Sequence, residues 1–381
     1  MRLFGWKAGR EGSRPALSRA GAVTVGEWPP SYETSVREGY GRNAIAQRAV
    51  KLVAEAVGGA PLSASDPALL ALVGARSGGQ GLLETVAAQL QLHGNAFVQV
   101  LRSPDDGIGA LYALRPERVT VEPDAGGWPA AYRYAVGGRV MRLGADGPRP
   151  DVIHLKCFHP LDDHYGLGCL PAAASAIAVH NAAGVWNKAL LDNAARPSGA
   201  LVYEPGDGST LSPEQFQRLR AEMEQGFSGA AQAGRPMLLE GGLKWQALSL
   251  SPADMDFVGL KAAAAREIAL AFGVPPMLLG LPGDSTHANY REANRALWRL
   301  AVLPLATAVL DALAQGLVGW FPDARLAVDL DRVPALSEDR ERLWSSVTAA
   351  DFLDREEKRA LLGVSGVEPT PGPSRKREGS I

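Results

Sequence analysis

Apolar positions recur at helical spacing early in the chain and alternate at strand spacing after it. Ile45, Ala49, Leu52 and Ala56 share one helical face, Asn43 is a fitting N-cap and Gly58 a stop, which predicts a helix over Asn43–Val57. A second helix is predicted over Gln80–His93, closed by Gly94. The runs AFVQVLR, ALYALR, RVTVEP, AYRYAV and DVIHLKCF are short, rich in β-branched and aromatic residues, and separated by Gly, Pro and Asp. They predict an antiparallel, meander-like block over about residues 95–158. A long Ala-rich helix follows from Pro171 to about Ala194, with proline in its favoured first position.

A compact unit begins after Pro197. Strand GALVY leads to a helix opened by a capping box, Ser212 to Gln215. Strands PMLLE and LKWQAL are joined by the hairpin signal Gly241-Gly242, and a second capping box, Ser251 to Asp254, opens the helix that ends at Gly273. Two long helices, 171–194 and 252–272, thus bracket a small αβ unit, a stalk with a tip. Gly273 suits the left-handed residue that ends a helix, and Pro275 and Pro276 cannot continue one. A polar loop follows, then a helix over Ala288–Gln315 that Pro304 should kink. Strand RLAVDLD and two short helices, Ser337–Ala350 and Asp354–Leu362, complete the pattern, the last opened by a capping box of Asp354 with Glu357. The fold class is α+β. Residues 1–38 read as an extended flexible arm and 367–381 as a disordered tail.

The bulk numbers narrow the function. A chain of 381 residues predicts two to three domains, and 46% apolar with 21% charged residues is the composition of a soluble globular protein. A net charge of -2 excludes a globally basic nucleic-acid binder but not a protein that handles DNA without gripping it. Cys157 and Cys169 form no disulfide framework, which points to a reducing cytoplasm. The amino-terminal segment MRLFGWKAGREGSRP has no apolar core of the kind a signal peptide carries. The run from Leu300 is interrupted by Pro304, Thr307, Asp311 and Gln315, so it reads as a buried helix and no membrane is expected.

Candidate chemistry is sparse. His154, Cys157, His159, His164 and Cys169 are zinc-ligand types, but strand alternation turns His154 away from Cys157 and His159, so a strand and a polar loop is the better reading. Asp329 and Asp331 share one face of the expected strand RLAVDLD and could hold a metal, which makes a metal-dependent nucleic-acid enzyme the alternative function. Asp254 and Asp256 form a similar pair that helix capping explains. No phosphate-cradling Gly-rich loop with Lys-Ser/Thr and no Gly-x-Ser-x-Gly elbow is present. No catalytic residue, cofactor or metal is assigned. Arg291, Arg295 and Arg299 recur every four residues and form a stripe on the helix after the elbow. Beside it, Gly283, Asp284, Ser285, Thr286, His287 and Asn289 make a loop that lacks bulk. The tryptophans 186, 245, 298, 320 and 344 suit core or subunit packing better than base stacking.

An ordered set of stretches carries a resemblance: NAIAQRAVKLVAEAVGGAPL, HGNAFVQVLR, VIHLKCF with YGLGCLPAA, NAARPSGAL, GRPMLLEGGLKWQALSLSPADMDF, and AREIALAFGVPPMLLG with ANYREANRALWRLAVLP. Over about residues 40–362 the chain resembles the portal proteins of tailed bacteriophages, in the compact form of gene transfer agents or small prophages. The resemblance implies a wing over 39–170, a stem helix over 171–196, a clip over 197–250 and a second stem helix over 251–273. It further implies an elbow and tunnel loop over 274–289, a kinked helix and strand returning to the wing over 290–332, and a short crown over 333–366. The function implied is a homo-oligomeric ring, usually a dodecamer, at one capsid vertex of a virion or virus-like particle made in the bacterial cytoplasm. Implied partners are the terminase large subunit, a head–tail adaptor, the major capsid protein and the double-stranded DNA passing through the channel. The loop residues Gly283–Thr286, His287 and Asn289 would face that channel. The low net charge leads us to expect Arg291, Arg295 and Arg299 to be partly neutralised by carboxylates across subunits.

Overall fold

A computed structural model describes residues 31–77, 79–145, 147–192, 199–204, 210–227, 243–247, 257–281 and 287–363. Of the sequence expectations, most of the arm, the Gly241-Gly242 hairpin, the Ser251–Asp254 capping box, the Asp254/Asp256 pair and the tail lie outside them. Residues 32–38, expected in the arm, are helical instead. The Ser31 side chain accepts from the Thr34 N–H and opens α1 (Tyr32–Val36), which runs into a π-turn at Arg37–Gly41. Tyr32, Val36 and Tyr40 recur every four residues, a short repeat set among polar residues and glycines, and Val36 and Tyr40 pack on the core.

Helix α2 (Ala44–Gly58) starts where Asn43 caps the N–H groups of Ile45 and Ala46. Strand β1 (Leu62–Ala64) and helix α3 (Pro67–Val73), capped by Asp66, precede a tiny hairpin of β2 (Arg76–Ser77) and β3 (Gln80–Gly81). Helix α4 (Leu82–His93) ends at Gly94, whose φ of 80° is the left-handed stop. A Cβ at Gly94 would lie 2.4 Å from the Leu167 carbonyl carbon, so glycine here serves close backbone packing as well as the turn.

The β block is two sheets, where one meander was expected. β4 (Asn95–Arg102) is central between β5 (Ile108–Leu114) and β9 (Val152–Lys156), with Phe97 opposite both Leu114 and His154. The second sheet is a true meander of β6 (Val119–Pro123), β7 (Pro129–Val136) and β8 (Arg139–Gly144). The first sheet is buried on both faces. Val98, Val100, Leu111 and Ile153 join the helices in the main core, while Phe97, Leu114 and Val152 pack on Val121, Tyr132 and Leu143 of the second sheet.

Helix α5 (Leu170–Asp192) is the long Ala-rich helix. β10 (Gly199–Tyr203) pairs antiparallel with β11 (Leu243–Ala247), and between them α6 (Pro213–Phe227) opens with both halves of the Ser212/Gln215 capping box formed. Helix α7 (Phe257–Ala271) packs along α5, where Ala173, Ala176, Ala183, Ala264 and Ala265 are buried and let the two backbones approach closely. Past the elbow come α8 (His287–Leu297), a π-turn at Trp298–Val302, and α9 (Leu303–Gly316). The stretch 288–316 is long and apolar enough to cross a membrane by composition, but Val302, Ala306, Val309, Leu310 and Leu313 are core residues. β12 (Leu326–Val328) pairs with β1, and α10 (Ser337–Ala349) and α11 (Arg355–Leu362) end the described chain, α11 with the Asp354/Glu357 capping box.

Candidate functional site

Helix α7 ends in a Schellman motif. The Gly273 N–H donates to Leu270 O at 3.0 Å and the Val274 N–H to Ala269 O at 2.9 Å, with Gly273 at φ 65°. Val274 is buried, so the turn is anchored before Pro275 and Pro276. A short 3-10 turn over Pro276–Leu279 then ends at left-handed Gly280. Gly283, Asp284, Ser285 and Thr286 lie outside the described residues, as does the His287 side chain; Asn289 sits in the first turn of α8.

The kink has a defined form. Pro304 offers no N–H to Leu300, and just before it the Leu303 N–H reaches back to Trp298 O, a π-type bond that widens the turn. Arg299 and Leu300 lie in that turn and are exposed, Leu300 to 78%.

The arginine stripe is divided. Arg291 bonds Glu338 at 2.9 Å. Arg295, its side chain only 12% exposed, bonds Glu338 at 2.6 Å and Glu292 at 2.9 Å, with Asp339 3.5 Å from its Nε. The hydrogen bond from Arg295, then the charge of Arg291, holds the Glu338 carboxyl below its ordinary value, and the same pairing raises Arg295. Neutralisation was expected across subunits. Within the chain itself, Arg291 and Arg295 meet Glu338, with Asp339 near, in the first turn of α10, and Arg295 also meets Glu292 on α8. The Arg299 side chain makes no hydrogen bond or ion pair among the described residues. A four-residue spacing drifts about 40° per step around a helix, and the π-turn intervenes, so the third arginine leaves the carboxylates behind.

Asp329 and Asp331 do not share a strand face. The strand ends at Val328; Asp329 caps a 3-10 turn by accepting from the Asp331 N–H. Asp331 accepts from Arg340 at 2.6 Å and from the Trp344 indole at 3.0 Å, which holds its carboxyl low, Arg340 first. Arg340 also donates to Leu362 O, so this arginine, held by Asp331, ties α10 to α11. The Asp-x-Asp spacing served a turn and an ion pair rather than a paired metal ligand.

The His/Cys cluster is structural as well. His154 stacks on Phe97 at 4.2 Å and burial pushes it down to about 3. Asn95, fully buried, accepts from the Gly166 N–H at 2.7 Å, donates to Gly166 O at 3.0 Å, and lies 3.1 Å from His154 Nε2. Cys157 directs its thiol to Leu90 O, and burial raises both cysteines, Cys169 to about 11. Among the described residues no three His, Cys, Asp or Glu side chains converge as metal ligands. Trp320 packs under Arg102 and Arg149 and donates to Asp106 O.

Apolar side chains stand exposed along the paired helices: Val185 and Trp186 on α5, Val258, Leu260 and Leu270 on α7. Sequence periodicity did not mark them, because a nearly all-apolar helix hides which face its neighbour covers.

The sequence model of the family described as phage portal protein matches residues 44–363. An uncharacterised protein of Rickettsia felis is 40% identical over 347 residues, covering 86% of this chain and 88% of that protein. The probable portal protein of Streptomyces phage phiC31 is 30% identical over 276 residues, 67% of this chain and 59% of its own length. A chain in the solved virion of a native gene transfer agent particle is 50% identical with a TM-score of 0.69, covering 89% of this chain and 95% of that one. The neck of the native particle, computed with C12 symmetry, gives the same values.

Proposed function

The chain belongs to the phage portal protein family, and on that premise we propose that it forms a homo-oligomeric ring at one vertex of a gene-transfer-agent-type capsid. The observation that carries this reading is the 50% identity to a chain of a particle whose neck was computed with C12 symmetry. The exposed apolar residues of α5 and α7 support it, since a ring of heterologous contacts buries such faces against the next copy.

In this reading α5 and α7 are the stem and residues 197–250 the clip, which docks the terminase large subunit and later the head–tail adaptor. Residues 39–170 form the wing with the returning helix α8–α9, on the side of the major capsid protein. The loop 274–289 reaches into the channel through which double-stranded DNA is packaged and ejected, and residues 333–366 are the crown. The protein acts as a structural conduit. Pairing of Arg291 and Arg295 with Glu338 suits this role, because a conduit should let phosphates slide past and not retain them.

Deleting the gene in a particle-producing cell tests the function. Capsids without DNA or tails, rescued by the gene in trans, are expected; normal DNA-filled, tailed particles from the deletion strain would refute it.

A further inference from the structure

Strand β5 is an open edge. It pairs with β4 on one side, and among the described residues no strand lies along the other. The phase of its hydrogen bonds follows from Val100, whose N–H donates to Asp151 O at 2.9 Å, on the β9 side. Alternation then turns Gln99 and Leu101 toward β5, so their partners Tyr112 and Ala110 face inward. Leu111 and Ala113 therefore direct their backbone N–H and C=O groups to the open side. A groove of about 480 Å³ runs there, with Arg76, Gln80, Leu82 and Thr85 on one wall and Leu111 and Tyr112 on the other. Unpaired edges of this kind are templates for another strand.

We propose that residues Ala22–Val25 of the chain's own amino-terminal arm add to β5 as a parallel strand and fill this groove. Within residues 1–30, Val23-Thr24-Val25 is the only run of three β-branched residues, bounded by Gly21 and Gly26. The point where the arm joins the fold is favourable. The Tyr32 ring lies 4.5 Å from the His93 ring, and the Tyr32 hydroxyl is pushed up to about 12 by burial and then by Glu117. Arg115–Arg118 is the turn that directly follows β5, so the arm enters beside the carboxy-terminal end of that strand. The six residues between Val25 and Tyr32 reach at most roughly 20 Å when extended, and Pro29 and Pro30 favour extension. A strand that leads directly into that end runs in the direction of β5, so the proposed pairing is parallel. Alternation puts Val23 and Val25 on one face and Ala22 and Thr24 on the other.

Amide hydrogen exchange on the full chain tests the assignment, with Thr24→Pro and a chain lacking residues 1–28 for comparison. Leu111 and Ala113 are expected to exchange at least tenfold faster in both variants than in the full chain, while Val98 on the central strand stays unchanged and certifies the fold. Equal exchange in all three proteins overturns the proposal, as does protection that survives truncation, the mark of β5 edges pairing between copies. Mixing isotope-labelled truncated chain with unlabelled full chain separates the source of the strand. Labelled Leu111 and Ala113 should stay unprotected; protection there would assign the strand to a neighbour's arm and overturn the same-chain pairing.

Discussion

Arg295 donates a 2.6 Å hydrogen bond to Glu338, tying the helix after the elbow to the first of the two carboxy-terminal helices across 43 residues of sequence. The guanidinium is nearly covered and shares Glu338 with Arg291, so one carboxylate holds two arginines in place. The link joins the segment proposed to return from the channel to the segment proposed as crown.

This link should be sensitive to acid. Glu338 is held below its ordinary value of 4.5, so the unfolded chain takes up the proton first as pH falls. Its stabilisation is complete above about pH 4.5 and is lost as pH drops through the depressed folded value. Glu338→Gln should therefore lower the melting temperature at pH 7, and the gap to wild type should narrow as pH falls below the ordinary value of 4.5. A gap that does not change with pH would show that the charge of Glu338 contributes nothing to it.

Arg299 and Arg295 should part company in function. Arg299→Ala removes an exposed charge with no partner among the described residues, so stability should hold while DNA packaging, read as encapsidated DNA per particle, changes with its salt dependence. Arg295→Ala should lower the melting temperature and speed hydrogen exchange in α10. Normal packaging and ring assembly with Arg291, Arg295 and Arg299 all replaced by Ala would remove the contact with DNA.

Two glycines with similar dihedral angles should differ in cost. At Gly273 an added Cβ meets only Ala301 Cβ, 3.6 Å away, so Gly273→Ala carries the left-handed strain alone, about 1–2 kcal/mol. At Gly94 the Cβ would sit 2.4 Å from the Leu167 carbonyl carbon and 2.5 Å from the Gly168 nitrogen, both backbone. Gly94→Ala should cost about 3 kcal/mol or more by adding overpacking to strain. Denaturant unfolding of the two variants gives the comparison, and equal losses would contradict the packing described around Gly94.

His154 should shape the acid limb of stability. Burial keeps it neutral down to about pH 3 while the unfolded chain protonates it below 6.5. Stability is present above 6.5 and falls by about 1.4 kcal/mol per pH unit from this group as pH drops toward 3. His93, also lowered by burial, adds in the same direction. His154→Phe, which preserves stacking on Phe97, should flatten the dependence between pH 6 and 4, measured by denaturant unfolding; an unchanged slope would refute the buried neutral imidazole.

Local chemistry was legible in the sequence wherever a residue caps or stops an element within a few positions. Asn43, Gly94, Ser212 with Gln215, Gly273 and Asp354 with Glu357 all act in the structure as their sequence context implies. Long-range partners were not. The placement of β9 beside β4 splits the expected meander, and nothing local to DVIHLKCF specifies that partner. Strand β8 escaped notice because RVMRLG does not alternate: the apolar Val140 and Met141 are adjacent and both exposed, and only Leu143 is buried. The helical segment Tyr32–Gly41 has only a short apolar repeat, Tyr32, Val36 and Tyr40, among polar residues and glycines, and Gly39 lies close against Leu170 and Ile177. For the site, the stripe spacing was visible, but Glu338, the carboxylate that Arg291 and Arg295 share, lies more than 40 residues away, and a π-turn displaces the third arginine. Asp329 and Asp331 misled because two-residue spacing reads as one strand face, and the strand stops at Val328, before either aspartate.

The ring is the central claim, and native mass measurement with class-averaged electron micrographs of the same purified sample addresses it most directly. Twelve copies of a 40.2 kDa chain, about 480 kDa, seen as rings with an open centre, are expected. A monomer or dimer at every concentration, including in the presence of the assembled capsid shell, would contradict it.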